Sequence, residues 1–369
     1  MKKFWVVHNI AAPYRLNIFN AMWEECKARG LDFHVHFMSD MSRGYDERCK
    51  QWLNPDIDFP HTYWKDFGVW QCHFNPGLLW RIWRDKPEFL LVGSSFYTVT
   101  GMFAGRLTNG VTSTWCEGNT KTPGKMGGLA GAMKRFALAG YKYVAVPGSD
   151  SAKYIAMHQA RTKRQLAKPI TLPNLVDESR FRYVNAGTRS EVKRAIIPAR
   201  LSPVKGLLEF IGLLTPEMLV GWKLVIVGNG ELREQILKMI SDRGLSDYIE
   251  IHPFVPYNEM PNYYIESDLL ILPSIYDPNP LAVAEALHCG LAIALSSEAG
   301  NVEEAVAEGK NGWVLPVKDR GRFAEVLKDV FSASSEKLAE MGKWSLNHNA
   351  KFWDTKESIS RFVDAIVER

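Results

Sequence analysis

The sequence lacks a continuous apolar run of about 20 residues, so no segment is predicted to cross a membrane as a helix. It lacks the P-loop pattern GxxxxGK followed by Ser or Thr, the zinc-protease pattern HExxH and the serine-hydrolase pattern GxSxG. Its five cysteines are scattered and form no CxxC pair, which predicts reduced thiols in a cytosolic protein. Charge of one sign is also scarce, because 45 basic and 41 acidic residues leave a net charge of +4. That balance does not indicate a nucleic-acid partner.

Apolar side chains, by contrast, are plentiful. They make up 46% of the 369 residues, and this length exceeds what one hydrophobic core usually organises, so two domains are expected. The first apolar segment stops at His8 and Asn9, which favours a short buried strand over a secretory signal peptide.

Strand and helix patterns alternate along the chain, more regularly in the second half. Predicted strands of the first half cover residues 4–8, 33–38, 89–93, 112–115 and 143–147, with helices at 15–29, 78–83, 101–107 and 126–138. Predicted strands of the second half cover 194–199, 223–227, 248–251, 269–272 and 291–295, with helices at 206–214, 231–243, 259–266 and 281–289. Such alternation is typical of parallel sheets covered by helices on both faces.

The expected architecture is therefore α/β, with two Rossmann-like doubly wound domains at 1–180 and 190–350. The aperiodic polar stretch 173–189 is the predicted linker, and an amphipathic helix in 351–369 is expected to pack back towards the N-terminal domain. Two such domains commonly bind ligand in the central cleft that they face, beyond the carboxyl ends of their strands.

Candidate ligand-binding residues follow the first two predicted strands of the second half. Arg200 and Lys205 precede a helix that opens at Gly206, which can make a phosphate site, although two solvated surface cations would give the same pattern. Gly228-Asn229-Gly230 would let backbone approach a ligand, and a tight strand-to-helix turn is the alternative. Because Arg233 replaces the third glycine of GxGxxG, the pattern does not favour a dinucleotide site.

Two carboxylates stand in the segment PSIYDPNPLAVAEALHCGLAIALSSEAGN. Asp277 lies in a proline-rich loop after a predicted strand, and Glu285 lies inside the helix that follows. Because Glu285 is flanked by alanine, valine and leucine, its burial would cost free energy unless it has a partner. Ribose hydroxyls would supply hydrogen-bond donors, and a structural salt bridge is the alternative.

The spacing of Arg200, Lys205 and Asp277-x7-Glu285 resembles the family 4 retaining glycosyltransferases of bacterial capsule and O-antigen type, which have the GT-B fold. The signature of that family is Glu-x7-Glu, so Asp277 keeps the charge, shortens the reach and leaves the donor sugar open. The resemblance extends to NIAAPYR near the start, to PNLVD, and to SSEAGNVEEAV and NGWVL after the signature.

The resemblance implies a role for each of these residues. Arg200 and Lys205 would bind the donor diphosphate and stabilise it as the leaving group. Asp277 would lie beside the donor sugar hydroxyls, and Glu285 would accept hydrogen bonds from the ribose. Further donor contacts would come from Gly228, Asn229, Gly230, Phe254, Asn279, Pro280 and Leu281. The resemblance also implies retention through same-face attack, a nucleotide-sugar co-substrate (a UDP-sugar is favoured because such donors are common in the family) and no other cofactor.

The N-terminal half is expected to supply the acceptor site. His8, Asn9 and Ala12 follow the first strand, and Glu117 follows a later one. Glu117 is a candidate to position the acceptor hydroxyl or to act as a base, with a purely structural hydrogen bond as the alternative. Arg15 is assigned only to the start of a helix.

Aromatic and basic residues mingle in the first half, which suits contact with anionic membrane lipids, and core aromatics with solvated cations are the alternative. These residues are Trp64, Trp70, Trp80, Arg81, Trp83, Arg84, Lys121, Lys125, Lys134 and Arg135. We therefore expect a saccharide or lipid-linked saccharide acceptor and a cytoplasmic location, with contact at the inner face of the membrane left open.

The single DxD pattern, Asp56-Ile57-Asp58, is expected to form an exposed turn, and no essential metal is predicted. Three other functions remain open: a nucleotide-sugar epimerase, a sugar phosphorylase, and a non-catalytic nucleotide-sugar-binding module. Turnover of the donor in the presence of an acceptor separates them from a transferase.

Overall fold

The computed structural model describes residues 1–40, 56–68, 72–93, 98–122, 127–183 and 192–368. The chain divides into two compact units: unit 1 comprises Met1–Pro173 and Thr355–Arg369, and unit 2 comprises Asn174–Asp354. Much of the predicted linker therefore belongs to unit 2, where Phe181 is completely buried against the ring of Tyr264. Residues 184–189 of that stretch lie outside the described residues.

The structure contains strands and helices in regular alternation. The strands are β1 (Lys3–His8), β2 (Asp32–Phe37), β3 (His61–Tyr63), β4 (Phe89–Val92), β5 (Val111–Trp115), β6 (Tyr143–Val146), β7 (Lys168–Thr171), β8 (Lys193–Pro198), β9 (Trp222–Val227), β10 (Ile249–His252), β11 (Leu269–Leu272), β12 (Ala292–Ser296) and β13 (Gly312–Leu315). The helices are α1 (Pro13–Ala28), α2 (Pro76–Asp85), α3 (Val99–Ala104), α4 (Gly128–Leu138), α5 (Ser149–Gln159), α6 (Leu207–Ile211), α7 (Arg233–Asp242), α8 (Met260–Ile265), α9 (Leu281–His288), α10 (Val302–Ala305), α11 (Arg320–Ser332), α12 (Ser335–Trp344) and α13 (Thr355–Val367).

Unit 1 is built on a seven-stranded parallel sheet in the order β3-β2-β1-β4-β5-β6-β7. The sequence did not predict β3, β7 or α5. The outermost strands, β3 with the sequence HTY and β7 with KPIT, are short and half-exposed, so neither carries an apolar run. Edge strands of this kind are recognised only by their hydrogen bonds to a neighbour.

Helices α2 to α5 cover one face of this sheet. Their inward side chains share one buried core with the strands, including Leu78 of α2, Ala104 of α3, Leu138 of α4 and Ile155 of α5. Helix α1 packs on the other face, where Phe19 contacts the rings of His8 and Phe37.

The C-terminal helix α13 packs against α1 in unit 1. The guanidinium of Arg29 donates to Asp364 Oδ1 at 2.5 Å and to Ser360 Oγ at 3.2 Å. None of the described helices combines the length and the apolar composition needed to cross a bilayer.

Unit 2 is built on a six-stranded parallel sheet in the order β10-β9-β8-β11-β12-β13. The sequence did not predict β13, α10, α11 or α12. Strand order reverses between β8 and β11 here, and between β1 and β4 in unit 1. At such a reversal the helices that follow the two strands lie on opposite faces of the sheet, which leaves a crevice at its carboxyl edge. The prediction of two doubly wound, parallel-sheet units is confirmed.

Candidate active site

In unit 2 the loops that follow β8 and β11 meet at the point where strand order reverses. The amide of Ile275 donates to the carbonyl of Val204 at 2.9 Å. Beside this contact, Lys205 Nζ donates to Asp277 Oδ2 at 2.5 Å. Gly206 has φ 65°, and a Cβ there would lie 2.2 Å from the carbonyl oxygen of Pro273, so only glycine allows this approach. The structure therefore brings two of the predicted site residues into direct contact.

The Lys205–Asp277 pair is largely shielded from solvent. Its side chains are 24% and 10% exposed, and the amide of Gly300 fixes the backbone of Asp277 by donating to its carbonyl at 3.0 Å. An ammonium has three donor hydrogens, so two remain for other acceptors. The pair is thus a fixed cation with unused donors at the crevice.

Arg200, the second predicted cation, is placed differently. Its guanidinium lies 3.6 Å from Glu231, and both side chains are more than half exposed. Exposed ion pairs contribute little free energy, typically about 0–1 kcal/mol, so Arg200 can turn towards another anion at small cost.

Glu285 lies on α9 and is buried, with 7% of its surface exposed. Its Oε2 accepts a hydrogen bond from the Tyr264 hydroxyl at 2.5 Å. Burial raises the pKa of the Glu285 carboxyl to about 7, while the hydrogen bond from Tyr264 acts to lower it. Among the described residues no cation forms an ion pair with this carboxylate, so the salt-bridge alternative is not what the structure contains.

Tyr264 is a site residue that the sequence did not reveal. It lies on α8, is completely buried, and packs edge-on against Phe181. A tyrosine hydroxyl needs a partner when it is buried, but the sequence does not say which one. Only the packing of α8 against α9 identifies Glu285 as that partner.

The start of α9 offers further donors. Pro280 is the N-cap and provides no side-chain cap, so the first amides of the helix, from Leu281 onwards, are not bound by a capping side chain. The side-chain nitrogen of Asn279 is buried and has no hydrogen-bond partner among the described residues. Buried donors in folded proteins are nearly always satisfied, so a ligand oxygen is expected here.

The glycines after β9 have a structural explanation. A Cβ on Gly228 would lie 2.0 Å from the carbonyl oxygen of Ala199, and one on Gly230 would lie 2.3 Å from that of Leu201. The loops after β8 and β9 approach this closely because the Leu201 amide donates to the Asn229 carbonyl at 2.9 Å. Close packing between these two loops therefore explains both glycines without a ligand. Phe254, in the loop after β10, is 41% exposed.

In unit 1 the predicted acceptor residues follow β1. His8 is buried, and its Nδ1 lies 3.1 Å from the carbonyl oxygen of Ile10, so Nδ1 donates and Nε2 is the unprotonated nitrogen. Burial, and next the charge of Arg15, lower the pKa of His8 to about 3, so the ring is neutral at pH 7. Asn9 Oδ1 is buried without a hydrogen-bond partner among the described atoms, and Ala12 is completely buried as the N-cap of α1.

Arg15 does more than begin helix α1, so its assignment from the sequence was incomplete. Its buried guanidinium forms an ion pair with Glu117 and lies 4.5 Å from the ring centroid of Trp115. Glu117 is thus held as the partner of a buried cation, with 40% of its side chain exposed. A cation in the first turn of a helix opposes the helix dipole, and that unfavourable position is the signal that could have indicated a partner.

The mixed aromatic and basic residues of unit 1 separate into two groups. Trp64 packs against the core, and Trp80 and Trp83 are 54% and 56% exposed. Trp70 and Lys125 lie outside the described residues. Asp56-Ile57-Asp58 lies outside helices and strands, and the described residues contain no group of three or more side chains placed to hold a metal ion.

Comparison with known proteins finds a match to one family model over much of unit 2. Residues 184–346 match the model of the family described as glycosyl transferases group 1. The amylovoran biosynthesis glycosyltransferase AmsK of Erwinia amylovora is 30% identical over 112 residues, which are 29% of this chain and 27% of that protein. The putative colanic acid biosynthesis glycosyltransferase WcaL of Salmonella typhimurium is 28% identical over 185 residues, 45% of each chain. The aligned segments thus span less than half the length of these relatives.

Solved structures resemble the chain over its full length. The structure of Anabaena HepE in complex with UDP and glucose has a TM-score of 0.73 and 14% identity, and the match covers 100% of each chain. WaaG, a glycosyltransferase involved in lipopolysaccharide biosynthesis, has a TM-score of 0.69 and 15% identity over 99% of this chain and 100% of its own. Likeness at this identity shows the fold, so the predicted GT-B fold is confirmed.

Proposed function

Because residues 184–346 match the model of the glycosyl transferases group 1 family, we propose that this chain is a retaining glycosyltransferase. It moves a sugar from a nucleotide-sugar donor to a saccharide or lipid-linked saccharide acceptor. We favour a UDP-sugar as the donor, in keeping with the UDP bound to HepE. The observation that carries the proposal is the Lys205–Asp277 pair at the strand-order reversal of unit 2.

Cleavage of the donor places negative charge on the departing diphosphate. Lys205 is held at the crevice by Asp277 and keeps two donor hydrogens for phosphate oxygens. Arg200 can leave its exposed contact with Glu231 to join it. Fixed cations aimed at the leaving oxygen stabilise the transition state more than the ground state, which is how they accelerate the reaction.

The start of α9 binds the donor from a second direction. The side-chain amide nitrogen Nδ2 of Asn279 donates to the distal phosphate or the sugar. The first backbone amides of the helix, from Leu281, do the same. Asp277 accepts hydrogen bonds from sugar hydroxyls with the lone pairs that Lys205 does not use. Because aspartate is shorter than glutamate, it selects a donor whose hydroxyls lie closer to the loop.

Glu285 recognises the nucleotide through its ribose. Tyr264 holds Oε2, which leaves the other carboxylate oxygen to accept from ribose hydroxyls. Those hydroxyls supply the partners that make an ionised, buried carboxylate tolerable. Phe254, exposed after β10, contacts the base.

Unit 1 binds the acceptor. His8 Nε2 and Asn9 Oδ1 lie at the carboxyl end of β1. Both atoms accept hydrogen bonds from hydroxyl groups of the saccharide acceptor. Glu117, fixed by Arg15, positions the attacking hydroxyl. Retention follows if the departing phosphate takes the proton of the hydroxyl that attacks the same face. We propose that this chemistry needs no cofactor or metal, so a chelator leaves the rate unchanged, and that it occurs in the cytoplasm at the membrane face.

Two measurements test this proposal in sequence. Thermal unfolding with UDP, GDP, ADP and CMP identifies the base, because a ligand that binds only the folded state raises the melting temperature. Glu285→Ala should abolish the shift, and the matched control Glu234→Ala, whose side chain is 88% exposed on the same unit, should retain it. A shift that persists in Glu285→Ala refutes the nucleotide site.

Turnover is measured next with sugar donors that carry the nucleotide identified by that shift. NMR of the product should show the same anomeric configuration as in the donor. Donor binding without transfer to any saccharide would instead indicate a binding module, and conversion of the donor without an acceptor would indicate an epimerase.

A further inference from the structure

The outer surface of helices α2 to α5 in unit 1, here called the docking layer, exposes large apolar side chains. These are Trp80 (54%), Trp83 (56%), Phe103 (42%), Leu129 (78%), Met133 (42%), Phe136 (37%) and Met157 (39%). All four helices cover the same face of the sheet, so their outer sides belong to one surface. Exposed large apolar side chains gathered on one surface mark a candidate interaction site.

These apolar side chains are interleaved with arginines. The Arg84 guanidinium lies 4.6 Å from the Trp80 ring centroid. Arg106 lies 4.0 Å from the ring centroid of Phe136, which itself packs edge-on against Phe103 of α3. In both pairs the guanidinium carbon lies over the face of an aromatic ring, which is a favourable cation–π arrangement.

The docking layer also carries an excess of positive charge. Its four helices contain five basic residues and two acidic ones, an excess of three. The basic residues are Arg81, Arg84, Lys134, Arg135 and Lys153, and the acidic ones are Asp85 and Asp150.

The remaining helices of unit 1, α1 and α13, provide an internal comparison. Each contains two basic and two acidic residues, so neither has an excess of charge. Within the described residues of these two helices no large apolar side chain is exposed. Relative to α1 and α13, the docking layer therefore combines exposed large apolar side chains with an excess of positive charge.

We propose that the docking layer binds the surface of an anionic lipid bilayer. Tryptophan rings settle at the level of the headgroups, and neighbouring arginine and lysine side chains reach the lipid phosphates. Each cation near such a surface strengthens binding about fivefold, so the excess charge and the exposed rings act together. The inference deepens the proposed function by naming the partner surface, and it rests on that function only for the idea that the acceptor is lipid-linked.

The test is co-sedimentation of the full chain with two kinds of vesicle, without nucleotide. One kind is phosphatidylcholine alone, and the other is phosphatidylcholine mixed with phosphatidylglycerol. The chain should sediment with the mixed vesicles and much less with phosphatidylcholine, and added salt should weaken the binding because it screens the cations. Equal binding to both kinds, or to neither, overturns the proposal.

Matched variants locate the surface. Arg84→Glu with Lys153→Glu should weaken the partitioning onto mixed vesicles by about tenfold or more. Lys27→Glu with Lys356→Glu makes the same change in net charge on α1 and α13. This control should bind mixed vesicles much more tightly than the Arg84→Glu, Lys153→Glu variant. A result in which both charge pairs weaken binding equally overturns the assignment to the docking layer.

A second test variant and its control measure the contribution of the exposed apolar side chains to vesicle binding. Trp80→Ser with Trp83→Ser should weaken binding, whereas Val220→Ser, at an exposed apolar position (69%) on unit 2, should not. Analytical ultracentrifugation tests whether a second copy of the chain binds the docking layer instead. A wild-type dimer that dissociates in the tryptophan variant would overturn the lipid assignment.

The UDP-induced thermal shift is recorded for every variant, because it confirms folding and is independent of lipid. Vesicle binding without any nucleotide shift would leave the docking layer in place and remove the proposed function. A nucleotide shift without vesicle binding would overturn the lipid-binding role of the docking layer and leave the proposed function in place.

Discussion

Glu285→Gln should stabilise the folded protein while it removes nucleotide binding. Burial raises the pKa of Glu285 from 4.5 to about 7. Each pKa unit corresponds to about 1.4 kcal/mol, so keeping this carboxylate ionised in the fold costs about 3 kcal/mol. A glutamine is neutral, and its side-chain oxygen can still accept the hydrogen bond from Tyr264. The cost therefore disappears in the variant without loss of that contact.

The pH dependence of this gain follows from its sign. The folded-state pKa is raised, so below pH 4.5 the carboxyl is protonated in both the folded and the unfolded protein and costs nothing. The cost grows between pH 4.5 and pH 7 and is complete above pH 7. Urea unfolding should therefore show Glu285→Gln to be more stable than wild type by about 3 kcal/mol at pH 8, and by about 1 kcal/mol or less at pH 5.

The exposed Glu234→Gln serves as the control and should show no such pH-dependent difference. The reasoning is refuted if Glu285→Gln gains no more stability at pH 8 than at pH 5. Burial of the ionised Glu285 carboxylate would then not lower the free energy of unfolding of the wild type.

The same carboxyl should control nucleotide affinity. Ribose hydroxyls donate to the ionised form, so UDP affinity measured by calorimetry should fall about tenfold for each pH unit below 7 in the wild type. Glu285→Gln should bind weakly at every pH. Tyr264→Phe removes the hydrogen bond that lowers the pKa, so it should move the midpoint to higher pH. A wild-type affinity that does not change between pH 5 and pH 8 contradicts this role.

Three further outcomes follow from the geometry. Lys205→Ala should lower kcat by about 100-fold or more with a smaller change in UDP affinity, measured by steady-state kinetics and calorimetry; an unchanged kcat removes Lys205 from leaving-group stabilisation. Gly228→Ala should lower the free energy of unfolding by about 2 kcal/mol or more, since its Cβ would meet a backbone carbonyl oxygen at 2.0 Å, whereas Gly244→Ala, with φ 68° and open space, should cost about 1 kcal/mol in the same urea assay. His8 and His36, whose pKa values burial lowers to about 3, should show imidazole NMR resonances that do not titrate above pH 5. Because the unfolded rings protonate near pH 6.5, these two residues stabilise the fold less as pH falls below that value, and a titration near pH 6.5 would contradict their burial.

Local pattern in the sequence predicted the buried strands other than β13 because they carry their own apolar signal. The run LLIL of β11 is such a case, with a proline-rich loop after it, and its predicted bounds coincide with Leu269–Leu272. The edge strands β3 and β7 carry little apolar signal and exist because a neighbour in the sheet satisfies their backbone groups. Their prediction needs the partner strand, which sequence periodicity does not supply.

The residue types of the candidate site could also be predicted from the sequence. Cations after β8 and acids after β11 indicated phosphate and hydroxyl recognition, because charge and position after a strand are local properties. Which of these groups touch was not readable. Lys205 and Asp277 are 72 positions apart, and Arg15 and Glu117 are 102 apart.

The sequence by itself determined the alternation of strands and helices and the presence of charged groups at strand ends. Only the tertiary structure decided that β8 lies beside β11, that Tyr264 holds Glu285, and that Arg15 is a buried partner of Glu117. The physical reason is that apolar periodicity is encoded within a few residues, whereas parallel strand order and side-chain pairing depend on packing between segments far apart in the chain.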